Sequence, residues 1–187
     1  PGKAADGAKA LIDELHSALD PKAYRKAVAL LAESEFIDIF GVENSLTPAM
    51  DLFTKLGYLG LTCRLNTDAY LQQIGAGHLP HGAVAVAFSH SGSSADTVKA
   101  LRLAKSHGAK TIAITNAIGA PLASWADVTL LTGRDSHTIY GNAIFSRVAD
   151  TALVDMLYMG VILSGYGRFS TALDESGRMI RDRVFEN

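Results

Sequence analysis

Residues 83–94 read AVAVAFSHSGSS, and this stretch decides the fold and points to a site. Its first half, residues 83–88, is apolar at every position, which is typical of a strand covered on both faces in a parallel sheet. Its second half, residues 89–94, has four serines, a histidine and a glycine where a shorter turn would suffice. Helical spacing of apolar residues follows from about Ser94 to His107. The stretch therefore predicts a strand, a polar turn and a helix, as in an α/β domain.

The remaining sequence alternates predicted helices and strands around this unit. Two helices come first, and Asp20 with Pro21 marks the start of the second. The predicted strands are residues 36–40, 59–65, 83–88, 111–115 and 128–131. The predicted helices are about residues 4–19, 20–33, 46–56, 68–74, 94–107, 141–163 and 171–185. Five short strands joined through helices by right-handed crossovers predict a three-layer doubly wound α/β domain with a five-stranded parallel sheet.

Length, charge and cysteine content restrict the function. The 187 residues suit one domain spanning 1–187, in which the helices of residues 1–34 pack on the rest or link it to another module. A formal net charge of -2 leaves no electrostatic footprint for nucleic acid, so DNA contact would need a module absent from this chain. With one cysteine, Cys63, and no apolar run near the ~20 residues of a membrane span, we expect a cytoplasmic protein without membrane contact.

A second polar turn lies where the first predicted strand ends, at residues 41–45, which read GVENS. The carboxyl ends of parallel strands meet at one edge of a sheet, where ligands bind at the point at which strand order reverses. Serine hydroxyls, the close backbone approach that Gly92 allows and the free N–H groups of the helix after Ser94 together predict a cradle for a phosphate dianion. The alternative is that Ser93 or Ser94 merely caps that helix.

These motifs resemble those of a known family. The pattern Ser89-x-Ser91-Gly92-x-Ser94 resembles the phosphate-binding signature of sugar isomerase (SIS) domains, and Gly41-x-x-x-Ser45 resembles their first ligand loop. The segment Ser146-Arg147-Val148-Ala149, leading into residues 153–157, makes the chain look most like the effector-binding domain of RpiR-type transcriptional regulators. The helices of residues 8–33 look like the segment that links such domains to a helix-turn-helix module. The resemblance spans essentially the whole chain.

The resemblance implies which residues bind a sugar phosphate. The expected ligand-binding residues are Glu43, Asn44, Ser45, Ser89, Ser91, Gly92, Ser93 and Ser94. The phosphate would be held by the hydroxyls of four serines: Ser45, Ser89, Ser91 and Ser94. The backbone N–H groups of Gly92 and Ser93 would also donate to it. The family usually has a second glycine where this chain has Glu43. A carboxylate repels a phosphate, so Glu43 either points away or hydrogen-bonds the sugar end of the ligand. The site would lie near the interface of a homo-oligomer, a dimer or tetramer.

The resemblance leaves two functions open, sensing and isomerisation. An aldose–ketose isomerase needs a base, usually a carboxylate, to move a proton between neighbouring carbons. The similar 6-phospho-3-hexuloisomerases place glutamates at the start of the long C-terminal helix, where this chain has Arg147, which cannot act as a base at neutral pH. We therefore expect a non-catalytic sugar-phosphate sensor without cofactor or metal. The alternative is a stand-alone SIS-type isomerase, whose acid–base residues would be Glu43, His90 and His137.

The chain start, two arginines and two histidines each have more than one possible role. If Pro1 is a cut site, a DNA-binding module is expected upstream; if it is the natural start, the chain would stand alone. Arg147 would hold a phosphate, pair with a nearby aspartate or support an interface, and Arg134 would assist the anion or be solvated. A flavin is disfavoured because the phosphate loop of flavodoxins follows their first strand, and a metal is disfavoured because His78 and His81 have no nearby carboxylate. The apolar run of residues 156–163 is expected to be a buried helix.

Overall fold

The computed structural model describes residues 2–134 and 147–181, which form alternating helices and strands. The strands are β1 (Ile37–Phe40), β2 (Cys63–Leu65), β3 (Val84–Phe88), β4 (Lys110–Thr115) and β5 (Val128–Leu131). The helices are α1 (Gly2–Ala18), α2 (Pro21–Glu33), α3 (Leu46–Tyr58), α4 (Ala69–Ala76), α5 (Ala95–Ser106), α6 (Val148–Ser164) and α7 (Tyr166–Met179). Single 3-10 turns occupy Glu43–Ser45 and Ala123–Trp125.

The strands form one sheet in the order β2-β1-β3-β4-β5, and all neighbouring pairs are parallel. Alternation along β3 explains the layers, since Val84, Val86 and Phe88 belong to one core and Ala85 and Ala87 to the other. The larger side chains face the layer of α2, α3 and α6, whereas the alanines let α4 and α5 lie close to the sheet. The predicted three-layer doubly wound domain with a five-stranded parallel sheet is confirmed.

The connections open a crevice between β1 and β3. These strands are neighbours in the sheet, yet α3 leaves β1 towards one face and α5 leaves β3 towards the other. Because the chain diverges from adjacent strands in opposite directions, no crossover covers the carboxyl ends of this pair. The sheet therefore has its switch point, the place where a ligand is expected, between β1 and β3.

The two N-terminal helices pack on the rest of the chain through α6. Asp20 caps α2 by accepting from Lys22 N–H at 2.9 Å, as its sequence pattern predicts. The Tyr24 hydroxyl donates to the carbonyl oxygen of Met156 at 2.6 Å. A Cβ at Gly160 would lie 2.5 Å from that hydroxyl, so glycine allows α2 and α6 to approach closely.

Some element boundaries differ from the sequence prediction. β2 does not begin at residue 59, because residues 59–61 end α3 instead: Leu61 N–H donates to Leu56 O at 3.2 Å and Gly60 has a φ of 72°. The last helix begins at Tyr166, five residues before the predicted start. The predicted helix of residues 141–163 is observed from Val148, since residues 141–146 lie outside the described part of the chain, as do residues 182–185.

The segment of residues 156–163 is buried on one face only, so the expectation of a buried helix is half right. Leu157 and Val161 are fully buried, whereas Met159 is 50% and Leu163 68% exposed. Among the described helices, none is by itself long and apolar enough to cross a membrane. α6 and α7 meet that criterion only as a pair, and they are bent by 116° relative to each other.

Candidate functional site

A cavity of about 220 Å³ opens at the carboxyl ends of β1 and β3. Three separate segments meet there: the turn after β1, the turn after β3 and the start of α6. The lining residues are Val42, Glu43, Asn44, Ser45, Ser89, His90, Ser91, Ser94 and Arg147. Both polar turns singled out in the sequence thus lie on one cavity at the switch point. Val42 of the first turn and Arg147 also line this cavity, although neither is among the eight expected ligand-binding residues.

The turn after β1 depends on Gly41 and Glu43. Gly41 is buried, and a Cβ there would lie 3.0 Å from the carbonyl oxygen of Ser45, so glycine lets the turn close tightly. Glu43 has a φ of 51°, in the left-handed region that costs a residue with a side chain roughly 1–2 kcal/mol. This conformation gives a physical reason for the glycine that the resembled pattern has at this position. Here a carboxylate is kept on the cavity wall despite that cost.

The turn after β3 is fixed from the side by β4 and the residue that follows it. Ser89 N–H donates to Ile114 O at 3.0 Å, which continues the pairing of the two strands by one residue. The carbonyl oxygen of His90 then accepts from Asn116 N–H at 3.0 Å and from the Thr115 hydroxyl at 3.0 Å. The neighbouring strand and the residue after it therefore hold the backbone of the serine-rich turn in place at Ser89 and His90.

Gly92 has no room for a side chain. Its φ is 62°, and a Cβ there would lie 2.3 Å from the Cβ of Ala120 and 2.8 Å from the hydroxyl oxygen of Thr115. Gly92 O accepts from Leu122 N–H at 2.9 Å, which ties the turn to the loop after β4. The sequence predicts a close backbone approach at this glycine, and in the structure the groups that approach it are Ala120 and Thr115 of the protein itself.

The serines at the two helix starts are not caps. Ser45 precedes α3 and Ser94 precedes α5, yet neither hydroxyl makes a capping hydrogen bond. The Ser94 hydroxyl oxygen accepts from the Thr97 hydroxyl at 3.3 Å and lines the cavity. The first hydrogen bond of α5 runs from Val98 N–H to Ser94 O, so the N–H groups of residues 95–97 have no carbonyl partner within the helix. Capping therefore does not account for Ser94.

Two predicted contributors, Gly92 and Ser93, are absent from the cavity lining. Gly92 N–H donates to Ser89 O at 2.9 Å, and Ser93 N–H donates to the Ser91 hydroxyl oxygen at 3.3 Å. The Ser93 hydroxyl donates to Ser91 O at 3.2 Å and is turned back on the loop. Both amides are therefore engaged inside the turn, and their expected part in holding a phosphate stays a prediction. Among the described residues, the N–H groups of residues 95–97 have no carbonyl partner within the helix, and Ser94, which directly precedes them, lines the cavity.

Arg147 contributes the positive charge of the cavity. It stands immediately before α6, and its side chain is 12% exposed. One guanidinium nitrogen lies 3.4 Å from a carboxylate oxygen of Asp150, one turn along the helix. Its Nε is buried and has no hydrogen-bond partner among residues 2–134 and 147–181. Sequence alone left its role open between anion, aspartate and interface; the structure places it against both the cavity and Asp150.

The remaining candidate residues fall in different places. His90 lines the cavity, whereas His137 lies outside the described residues. Arg134 is directed at α1, where its backbone N–H donates to a Glu14 carboxylate oxygen at 2.7 Å and its guanidinium donates to Ser17 O at 3.1 Å. Arg134 thus binds α1 rather than the cavity. Within the described ranges, no group of three or more His, Cys, Asp or Glu side chains is arranged to hold a metal ion.

The lining has the chemistry expected of an anion-binding site, and it lies at the switch point of a doubly wound sheet. Hydroxyl donors, the positive end of α5 and a guanidinium all stabilise negative charge. Among the described lining residues Glu43 carries the one carboxylate, so the cavity also has an acceptor for hydroxyl or amino groups. A small ligand with an anionic end and a hydroxylated end fits this distribution.

The family model described as the SIS domain matches residues 30–160, and the chain belongs to that family. It is 30% identical to an HTH-type transcriptional regulator of Caldanaerobacter subterraneus over 99% of this chain and 66% of the relative. It is 28% identical to the HTH-type transcriptional regulator HexR of Escherichia coli over 99% of this chain and 64% of HexR. The chain thus spans less than two thirds of the length of these curated relatives.

Solved structures share the fold. The NanR protein of Vibrio vulnificus, complexed with ManNAc-6P, superposes with a TM-score of 0.90 at 24% identity, over 97% of this chain and 69% of NanR. The sugar isomerase domain of an RpiR transcription factor from Sphaerobacter thermophilus has a TM-score of 0.86 at 22% identity, over 95% of this chain and 98% of that domain. The five-stranded architecture is therefore that of solved SIS domains.

Proposed function

We propose that this chain is the effector-sensing domain of an HTH-type transcriptional regulator and binds a phosphorylated sugar without converting it. The observation that carries the proposal is the convergence of four serines, the amino end of α5 and one guanidinium on a single cavity; the residues are Ser45, Ser89, Ser91, Ser94 and Arg147. The phosphate would lie between the serine-rich turn and α5. The sugar hydroxyls would lie towards the turn of residues 42–45.

The number of donors matters because each contributes modestly. A helix dipole stabilises an anion by about 0.3–1 kcal/mol, and by up to ~2 kcal/mol when the anion is partly buried. A hydrogen bond to a charged group adds roughly 1.5–3 kcal/mol before desolvation of the phosphate is subtracted. One helix amino end would not hold a phosphate, whereas several hydroxyls, helix N–H groups and a largely buried guanidinium together would. Arg147 would pair with the phosphate through its planar group in place of its long contact with Asp150.

The relatives support sensing. The similar curated proteins are HTH-type transcriptional regulators that are longer than this chain, and the NanR structure of the same fold is complexed with ManNAc-6P. DNA contact would reside in a separate module of the whole protein. In a homo-oligomer, bound ligand would shift the population of subunit orientations, and the attached modules would respond to that shift.

Isomerisation is the second candidate, because Glu43 and His90 both line the cavity. A carboxylate and an imidazole are suitable groups for moving a proton between neighbouring carbons of a sugar phosphate. Against this, Arg147 occupies the start of α6, and a guanidinium cannot accept a proton at neutral pH. The guanidinium at this position therefore favours sensing over isomerisation.

Calorimetric titration tests the proposal with inorganic phosphate, pentose 5-phosphates, hexose 6-phosphates and N-acetylhexosamine 6-phosphates. We expect at least one sugar phosphate to bind more tightly than inorganic phosphate, and the Ser89→Ala, Ser91→Ala double variant to lose that binding. Ser106→Ala is the matched control, because its hydroxyl donates to Leu103 O at the far end of α5. Wild-type affinity in the double variant would contradict the proposal. A coupled isomerase assay on the same panel should show no turnover, and turnover that disappears in Glu43→Gln would establish the second candidate.

A further inference from the structure

Gln72 lies outside the cavity but is hydrogen-bonded to the turn that forms one of its walls. It is on α4 and is 1% exposed. Its side-chain nitrogen donates to the carbonyl oxygens of Gly41 at 2.7 Å and Asn66 at 2.8 Å. Its side-chain oxygen accepts from Gly41 N–H at 3.2 Å. Both N–H donors of this amide and its oxygen are therefore hydrogen-bonded to the backbone that directly follows β1 and β2.

The hydrogen bonds from Gln72 satisfy the backbone groups of Gly41, which lies just beyond the end of β1 and has no neighbouring strand to pair with there. Gly41 directly follows β1, and both its N–H and its C=O bind the same amide, so the plane of the turn is fixed relative to α4. Gly41 is buried, and the cavity wall begins at the next residue, Val42. Since buried backbone groups need partners, removing the amide leaves the turn without its native anchor.

We infer that Gln72 is a positioning residue for ligand binding: it holds residues 41–45 in the conformation that places Ser45 and Glu43 on the cavity. This inference rests on the proposed function. It states how a side chain without ligand contact sets affinity, because apparent affinity falls in proportion to the fraction of molecules whose binding turn is correctly placed. That fraction should depend strongly on the contacts of the turn, because the left-handed conformation of Glu43 persists only where the surrounding structure imposes it.

Three variants separate positioning from a general loss of stability. Gln72→Met keeps the length of the side chain and removes the three hydrogen bonds. Thr111→Val is the matched control: Thr111 is fully buried at the amino end of β4, the edge opposite the cavity, and its hydroxyl donates to Trp125 O at 2.8 Å. Gln72→Glu is the conservative variant, because an ionised carboxylate can accept from Gly41 N–H but cannot donate to the two carbonyls, whereas a protonated one can donate once.

The experiment is titration of all four proteins with inorganic phosphate and glucose 6-phosphate at pH 9.5 and 5.5, a range that spans the raised pKa of a buried carboxyl, alongside their urea unfolding. We expect Gln72→Met to bind on the order of tenfold more weakly than wild type, and Thr111→Val to stay within about twofold while it too loses stability. Gln72→Glu should be weak at pH 9.5 and recover relative to wild type at pH 5.5, because protonation restores a donor. At each pH the affinity of the variant is divided by that of wild type, which cancels the effect of protonating the ligand phosphate.

The outcomes distinguish the two levels of the account. If wild type binds and Gln72→Met binds equally well, or loses no more affinity than Thr111→Val, the positioning role is wrong while the proposed function stands. If Gln72→Met does not fold, an affinity ratio for Gln72→Glu that stays flat between the two pH values overturns the role. If wild type binds neither probe nor any other sugar phosphate, the proposed function fails and this inference fails with it.

Discussion

Replacing Glu43 with glycine should make the protein more stable and change what it binds. The residue has a φ of 51°, which costs a non-glycine residue roughly 1–2 kcal/mol. Glycine removes that cost but gives the unfolded chain more freedom, a loss of about 0.4–1 kcal/mol. The net expectation is a gain between about 0 and 1.6 kcal/mol, which for a chain of this size corresponds to at most roughly 3–6 °C in Tm. Glu43→Gln keeps the same backbone strain, so its stability should match wild type.

Ligand binding should respond to the charge at this position. At roughly 6 Å across a water-filled cavity, a carboxylate opposes each unit of phosphate charge by about 0.7 kcal/mol. Both Glu43→Gly and Glu43→Gln should therefore bind inorganic phosphate about threefold more tightly or better. If the carboxylate also accepts hydrogen bonds from the sugar, both variants should bind sugar phosphates more weakly, by tenfold or more, because a charged hydrogen bond contributes about 1.5–3 kcal/mol.

Urea unfolding and calorimetric titration of the same three proteins measure both effects. A Glu43→Gly protein less stable than wild type would refute the strain argument. An unchanged order of preference across the sugar-phosphate panel in Glu43→Gln would refute a role for this carboxylate in recognition. The combination that we expect, higher stability with altered ligand preference, is characteristic of a residue kept for function.

Three further predictions concern positions around the sheet. Gly92→Ala should lower the free energy of unfolding by about 2–5 kcal/mol in denaturant titrations, since left-handed strain adds to overlap with Ala120, and a loss below about 1 kcal/mol would contradict the packing described. Burial raises the pKa of the Cys63 thiol to about 12, so iodoacetamide at pH 8 should modify the folded protein roughly a thousandfold more slowly than a free thiol, and an equal rate would show that the thiol is not held in that environment. Burial by itself would raise the pKa of the Asp127 carboxyl. Two hydrogen bonds, one from Lys105 and one from a backbone amide, act with the lysine charge in the opposite direction, and together they hold that pKa below its ordinary value. A carboxyl group whose pKa is lowered in the folded state stabilises the fold at pH values above its unfolded pKa of about 3.9, and this stabilisation is lost as the pH falls. Asp127→Asn should therefore flatten the loss of stability between about pH 5 and pH 2. A dependence of stability on pH identical to that of wild type would contradict this prediction.

The sheet could be predicted from sequence because its signals are local. An uninterrupted apolar run such as residues 83–88 indicates a strand buried on both faces, and the alternation of helix and strand then restricts the topology. The start of β2 could not be predicted in this way. Leu59 and Leu61 have the composition of a strand, but their backbone N–H groups are used to end α3. Competition between a helix end and a strand start is decided by packing, which the pattern of apolar residues does not record.

The site was predictable in part for the same reason. The serines after β3 are adjacent in sequence, so their joint chemistry is visible there, and the edge rule for parallel sheets adds the turn after β1. Arg147 reaches the cavity from the far end of the chain, and Gln72 contacts Gly41 across 31 residues. A glutamine in a short helix looks like a surface residue until its burial is known. Contacts of this kind depend on the relative placement of elements, which no local motif specifies.

The proposed function depends on the position of one bound anion, and a crystal structure of this chain with a hexose 6-phosphate measures that position directly. We predict phosphate oxygens within hydrogen-bond distance of Ser89, Ser91 and the free amides of residues 95–97, with the Arg147 guanidinium turned towards them. A phosphate bound elsewhere, or a sugar phosphate bound with the first turn of α5 left facing water, would contradict the central claim.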